Sequence, residues 1–222
     1  MYSSIIKESV TEIRNSLPPG VMLVAAAKTR SPEEIRAVIN AGVNIIGYNY
    51  VQEAERMYQE IGKLVQWHMI GHLQRNKVKK AVKLFDMIET IDSVQLAEEV
   101  NKRCASESKI MLVLVEVNSG KESNKTGVLP EEVDKLIMQI SGLQNLRIQG
   151  LMTMGPRFGN PEDARPYFKA TKSAFDRLSK AKLPNVEMRY LSMGMSNSYK
   201  IAIEEGANMI RIGTKLFGKR FT

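Results

Sequence analysis

Eight short apolar or β-branched runs, each but the last followed by a helix-like stretch, predict an α/β chain folded as a single (β/α)8 TIM barrel with an extra N-terminal helix. The runs begin near Val21, Asn44, Gln66, Met87, Lys109, Leu146, Val186 and Met209. The first five are spaced 21 to 23 residues apart. That is close to the minimum for a strand, a tight loop, a helix and a return, so parallel strands joined by right-handed crossovers are expected. The runs LVAAAK, IIGY, MLVLVEV and MIRIG are apolar on both faces, as strands buried between helices and a barrel interior must be. An open doubly wound sheet would show the same pattern. Eight strands in 222 residues favour the barrel, near its lower size limit of about 200.

The elements follow in order. A leading helix over residues 2–17 stops at Leu17-Pro18-Pro19-Gly20 and is expected to cover the barrel's outside or one end. Ser31, followed by Pro32 and Glu34, reads as a helix N-cap with proline at the first helical position, and Gly42 closes that helix. The same punctuation recurs at Pro130 to Glu132, at Pro161 to Asp163 and at Gly206. Longer intervals after the fifth and sixth strands hold the loops SGKESNKTGVLPEE and GPRFGNPEDARP, where functional length has been inserted.

Composition narrows the classes. At 43% hydrophobic and 25% charged residues the chain should fold alone, as one domain over residues 1–222. No apolar run approaches the ~20 residues of a membrane span, and the N-terminal MYSSIIKESVTEIRNSL mixes charges into its apolar positions, so no membrane association and a cytoplasmic location are expected. The net charge of +8 raises the question of an anionic partner. Aromatics are only 6% and the basic residues are spread over nearly every helix, so no nucleic-acid partner is expected. The densest run, RNKVKKAVK at 75–83, reads as an amphipathic helix with a solvated basic face. Cys104 stands alone, without metal-spaced neighbours, and reads as structural.

In such a barrel, function gathers at the C-terminal ends of the strands, and phosphates are commonly held by the loops after strands seven and eight. Strand one ends in Lys28 after Val24, Ala25, Ala26 and Ala27. A lysine aimed into an alanine-lined pocket would be desolvated and held toward the neutral amine that attacks an aldehyde. A lysine snorkelling to solvent would look the same in sequence. The segment LSMGMSNS after strand seven offers Gly194 for close backbone approach, the Ser196 hydroxyl, and the amides of a helix starting near Asn197. After strand eight, Gly213 and Thr214 add a turn amide and a hydroxyl, just beyond Arg211. Because strand eight neighbours strand one in a closed barrel, this phosphate cup and Lys28 are expected roughly 5 to 10 Å apart. That suits a ligand with a phosphate at one end and an aldehyde at the other.

Five runs carry a resemblance: AAAKT at 25–29, NYVQE at 49–53, WHMIGHLQRNK at 67–77, GLMTMGP at 150–156 and LSMGMSNSYKIAIEEGANMIRIGTKLFGKR at 191–220. Together they resemble the pyridoxal phosphate homeostasis proteins, the YggS/PROSC group, which are related to the N-terminal barrel of alanine racemases. The resemblance covers essentially the whole chain. It implies pyridoxal 5′-phosphate (PLP) as cofactor, bound as an imine on Lys28. It further implies that Ser196, Gly213 and Thr214 hold the phosphate beside Met193 and Gly194, that Arg211 faces the pyridine nitrogen, and that Asn49 and His68 lie beside the ring. For His68, a hydrogen-bonded barrel histidine is an equally good reading. The group usually reads GENYVQE, whereas this chain has Tyr48 in place of the glutamate, which weakens any chemistry dependent on that carboxylate.

An arginine at the pyridine nitrogen keeps that nitrogen unprotonated and makes the ring a poorer electron sink. Alanine racemases also take a second base from a C-terminal domain, and this sequence stops at Thr222. A monomeric carrier that stores or delivers PLP, with PLP-dependent apo-enzymes as recipients, is therefore expected ahead of a weak amino-acid racemase. A sugar-phosphate barrel enzyme with a Schiff-base lysine is the third reading.

Overall fold

A computed structural model describes residues 2–122, 125–156 and 159–218. The strands are β1 (Met22–Ala26), β2 (Ile45–Tyr48), β3 (Gln66–Met69), β4 (Met87–Ile91), β5 (Met111–Val117), β6 (Leu146–Thr153), β7 (Val186–Ser192) and β8 (Met209–Ile212). The helices are α1 (Tyr2–Ser16), α2 (Pro32–Asn40), α3 (Val51–Ile61), α4 (Val78–Leu84), α5 (Val94–Ser106), α6 (Val133–Ile140), α7 (Arg165–Ser179), α8 (Tyr199–Glu204) and α9 (Thr214–Phe217). The strands pair in parallel in chain order, and β8 returns to β1 to close the barrel. This is the (β/α)8 barrel expected from the spacing, with all eight strands in place.

Local chemistry sets the helix boundaries. Ser31 accepts the amide of Glu34 while the Glu34 side chain accepts the Ser31 amide, a complete capping box with Pro32 at the first helical position. Asn160 and Asp163 build the same box ahead of α7, on the short 3-10 turn Pro161–Ala164. At Pro130–Glu132 the chain makes a turn instead, and α6 begins only at Val133. The basic run divides as its periodicity requires: Val78, Ala81 and Val82 are buried, whereas Lys79, Lys80 and Lys83 face solvent. The leading helix α1 buries Ile6, Val10 and Ile13 against α2 and α9, outside the barrel beside the β8–β1 seam. Burying each of these is worth roughly 1.5–3 kcal/mol.

Two apolar layers result. A large one lies between strands and helices and includes Ile35, Tyr48, Trp67, Ile88, Val113, Phe168 and Ile210. A smaller one, Val24, Ala26, Ile45, Ile70, Met87, Leu114, Met152 and Met209, fills the barrel interior. Gly150 permits the β6–β7 contact: at φ +148° its Cβ would lie 1.8 Å from the Tyr190 carbonyl oxygen, and the strand register shifts at this point. Among the described residues no helix is long and apolar enough to cross a membrane.

Candidate functional site

Period-2 alternation along β1 sends Val24 and Ala26 into the barrel, and Lys28 continues that face at the C-terminal mouth. Lys28 is half-buried, less enclosed than an alanine-walled pocket would make it. Its ammonium lies 4.8 Å from the Tyr50 ring centroid, and Nζ is 3.4 Å from the Tyr50 hydroxyl. The next residue, Thr29, has φ +63°, costly for a β-branched side chain. It is pinned there by its amide, which donates to Glu53 Oε2 at 3.2 Å, and by its hydroxyl, which donates to the Lys28 carbonyl. The start of α3 thus orders the lysine loop from one side. From the other side Arg30 donates to the carbonyls of Phe217 and Gly218, tying that loop to the end of α9.

The turns after β7 and β8 meet at Ser196. Its hydroxyl accepts the amides of Gly213 (3.3 Å) and Lys215 (3.2 Å). Register brings this junction beside the lysine: Ala25 pairs with Ile212, so Gly213 is one residue past that pair and Lys28 three residues past it on the adjacent strand. A Cβ on Gly213 would approach the Ala26 carbonyl oxygen to 3.3 Å. Gly194 has φ +87°, and its Cβ would lie 2.6 Å from that of Ala202. Helix α8 begins at Tyr199, later than the sequence suggests, and the amides of Ser198 and Tyr199 are both taken by the Met195 carbonyl. Among the described residues the amides of Ser196, Asn197 and Thr214 have no acceptor. The first two belong to the turn after β7, and Thr214 opens the short helix α9.

Below the mouth, polar side chains replace the apolar interior. Arg211, 1% exposed, donates to Ser192 Oγ, to the Thr153 carbonyl (2.9 Å) and to Met154 Sδ (3.3 Å). Glu89 accepts from Ser192 (2.6 Å) and contacts His68 Nδ1 at 2.7 Å. Burial pushes the Glu89 carboxyl up, but His68, Arg211 and Ser192 outweigh it and hold the group below the usual carboxylate range. Burial likewise pulls the Arg211 guanidinium down from its ordinary value, against the charges of Glu89 and Glu116. Glu116 accepts from the Thr126 hydroxyl through Oε1, and among the described residues its buried Oε2 has no hydrogen-bond partner. Burial raises its pKa.

Two cavities flank this arrangement. One of about 270 Å³ opens at the mouth between Asn49, Tyr50, Met69, Gly71 and His72. One of about 630 Å³ opens at the opposite end, past Lys63, Lys83 and Lys109, away from the lysine loop. The polar and ionisable groups concentrate at the first end, the C-terminal end of the strands, where barrels of this kind bind their ligands.

The alanine racemase N-terminal domain model matches residues 3–220. A pyridoxal phosphate homeostasis protein of Aquifex aeolicus is 43% identical over 199 residues, 89% of this chain and 86% of that protein. The chain belongs to the pyridoxal phosphate homeostasis protein family. PipY of Synechococcus elongatus PCC7942, solved without PLP, superposes on this family member with a TM-score of 0.90 at 34% identity, covering 96% of this chain and all of PipY. PipY with PLP bound gives a TM-score of 0.88 at 33% identity over the same shares.

In this homeostasis-family barrel the donor set fits a phosphorylated aldehyde. Unclaimed amides and the Ser196 hydroxyl gather where the β7 and β8 turns meet, and the register sets Gly213 and Thr214 one strand away from the half-buried Lys28. Of the two readings of His68 the hydrogen-bonded barrel histidine holds, whereas the Met193 side chain points away from the turn. His68 is 2% exposed and engaged with Glu89 inside the barrel. The Met193 side chain is fully buried in the layer between strands and helices, so only its backbone faces the turn. Tyr48 also faces that layer, stacked on Trp67 with centroids 5.9 Å apart. Among the described residues its buried hydroxyl has no partner, and burial, helped by Glu53 and Glu34, raises its pKa. A change at position 48 therefore acts on the outer packing. Sequence reasoning missed Tyr50, Glu53, Glu89, Glu116 and Ser192. Tyr50 and Glu53 sit inside the NYVQE run, where a helix start following a strand was the available signal. Ser123, Asn124, Arg157 and Phe158 of the two long loops, and Lys219 and Arg220 of the last motif, lie outside the described residues.

Proposed function

We propose that this protein binds PLP as an imine on Lys28 and serves intracellular PLP homeostasis as a carrier. One observation carries the reading: the half-buried Lys28 amine and the Ser196–Gly213–Thr214 junction share one edge of the barrel mouth, across the β1–β8 seam. When bound, the cofactor supplies an aldehyde that condenses with the lysine amine, with loss of water, and a ring able to take up electrons. The chain's own groups do the rest. Ser196, Thr214 and the neighbouring amides hold the phosphate dianion by charge-assisted hydrogen bonds. The Tyr50 ring and hydroxyl place the lysine nitrogen. Arg211 presents a fixed cation at the ring nitrogen and so opposes its protonation, which favours holding the cofactor over turning substrates over. Asn49 lies at the ring's edge, and apo-enzymes that use PLP are the recipients. The protein acts in the cytoplasm as a monomer.

Borohydride reduction followed by peptide mapping tests this directly. The expected result is a pyridoxyl group on Lys28 and none in Lys28→Ala, whose fold stays intact because a half-buried strand-end residue adds little to the core. Recovery of the adduct on another lysine, or no adduct at all, would overturn the assignment.

A further inference from the structure

Four polar side chains from four strands meet inside the barrel: His68 of β3, Glu89 of β4, Ser192 of β7 and Arg211 of β8, none more than 2% exposed. The hydrogen-bond directions follow from chemistry. A guanidinium only donates and an ionised carboxylate only accepts, so Arg211 Nη1 gives a proton to Ser192 Oγ, and the single Ser192 proton goes to Glu89 Oε2. The other carboxylate oxygen faces His68 Nδ1, which therefore carries its proton. Arg211 Nη1 and Glu89 Oε2 are 3.8 Å apart, so the serine hydroxyl couples the two charges. Glu116 of β5 is the other carboxylate facing Arg211.

Such an arrangement is not required for packing. Elsewhere the interior is filled by Val24, Ile45, Met87, Leu114 and Met209, and apolar residues of similar volume generally serve stability as well as a buried ion pair does. Buried, fully hydrogen-bonded charges near a strand-end site are the pattern of a tuned functional group.

We propose that Glu89 is the positioning residue of this site: through Ser192 it fixes the Arg211 guanidinium and balances its charge, and so sets the field at the cofactor's ring nitrogen and the ease with which the imine nitrogen on Lys28 holds its proton. This rests on the reading that Lys28 carries PLP.

The test compares wild type, Glu89→Gln and Ser192→Ala, each loaded with PLP and titrated by visible absorbance. Glutamine keeps the shape but removes the countercharge, so the arginine's field at the ring strengthens. The imine proton should then dissociate at a pH lower by about one unit, a tenfold change in its dissociation constant. Ser192→Ala keeps both charges and cuts the link, which should loosen PLP binding several-fold with a smaller titration shift. A purely structural role predicts instead a lower melting temperature of the PLP-free protein with an unchanged imine titration. Glu89→Gln that titrates and binds as wild type does would overturn the proposal. If Glu89→Gln does not fold, Ser192→Ala decides alone, unchanged affinity and titration being the contrary result. Absence of a borohydride-trapped adduct in wild type would be the failure of the Lys28 reading itself, separate from both.

Discussion

Ser196 has two duties that compete. Its hydroxyl links the β7 and β8 turns by accepting two amides, and in the proposed complex it also faces the phosphate. Replacing Ser196 and Thr214 together by alanine should weaken PLP binding far more than binding of unphosphorylated pyridoxal. Each charge-assisted bond lost is worth on the order of 1.5–3 kcal/mol, and every 1.4 kcal/mol is about tenfold in affinity. Titration with both aldehydes measures this, and equal weakening would move the cup elsewhere. Glu116 gives a prediction in pH. Its folded pKa is raised by burial, so its contribution to stability is best below the unfolded value and declines as pH rises through the window up to the folded one. Glu89, held low despite burial, works in the opposite direction and costs stability as pH falls. Glu116→Gln keeps an acceptor for Thr126 and removes the ionisation, so its gain in melting temperature over wild type should be small below about pH 4 and grow toward about pH 7. A gain independent of pH would mean that Glu116 ionises freely in the fold. Lys28, Arg211 and the glycine turns were legible as residues because strand ends are marked by where the apolar runs stop. Glu89 and Glu116 were not. In MIETI and MLVLVEV both faces of the strand are buried, so alternation cannot say whether a lone carboxylate points into the barrel or into the helical layer.

Among the elements, strands were the most legible part of the sequence, since their spacing repeats. Helix starts were less so: the capping boxes at Ser31 and Asn160 stand where side-chain chemistry dictates, whereas α6 and α8 begin later than their leading residues suggest because no side-chain cap holds the first turn. Register shifts were not legible at all, since a bulge is decided by two strands distant in sequence. Gly150→Ala tests the one at β6–β7. The added methyl would overlap the Tyr190 carbonyl at a positive φ, so a loss of about 3 kcal/mol or more is expected in chemical denaturation. An alanine variant of wild-type stability would show that β7 can move aside. The lysine loop stores strain of the same kind at Thr29, on the order of 1–3 kcal/mol, and Glu53 holds it in place. Glu53→Ala should accordingly slow imine formation at Lys28 while leaving the phosphate discrimination of the cup unchanged, which stopped-flow absorbance would resolve.

At the scale of the whole molecule, closure was the decisive inference, because it alone brings the chain's beginning and end together. The parallel pairing of β1 with β8 runs from Met22–Met209 to Ala25–Ile212, and Arg30 reinforces it at Phe217 and Gly218. The seam sits against α1, whose buried face also needs α9. This pairing has a consequence in time. On a ribosome the lysine emerges near the start of synthesis, whereas the serine junction, the arginine and the last turn are made 168 to 190 residues later. In the proposed complex, the amine has no phosphate grip beside it until the eighth strand docks, and until then it should behave like any other lysine toward an aldehyde. If that complex forms as proposed, tight uptake of PLP is a property that only a finished barrel possesses, and the first tightly held cofactor molecule would mark the completion of folding.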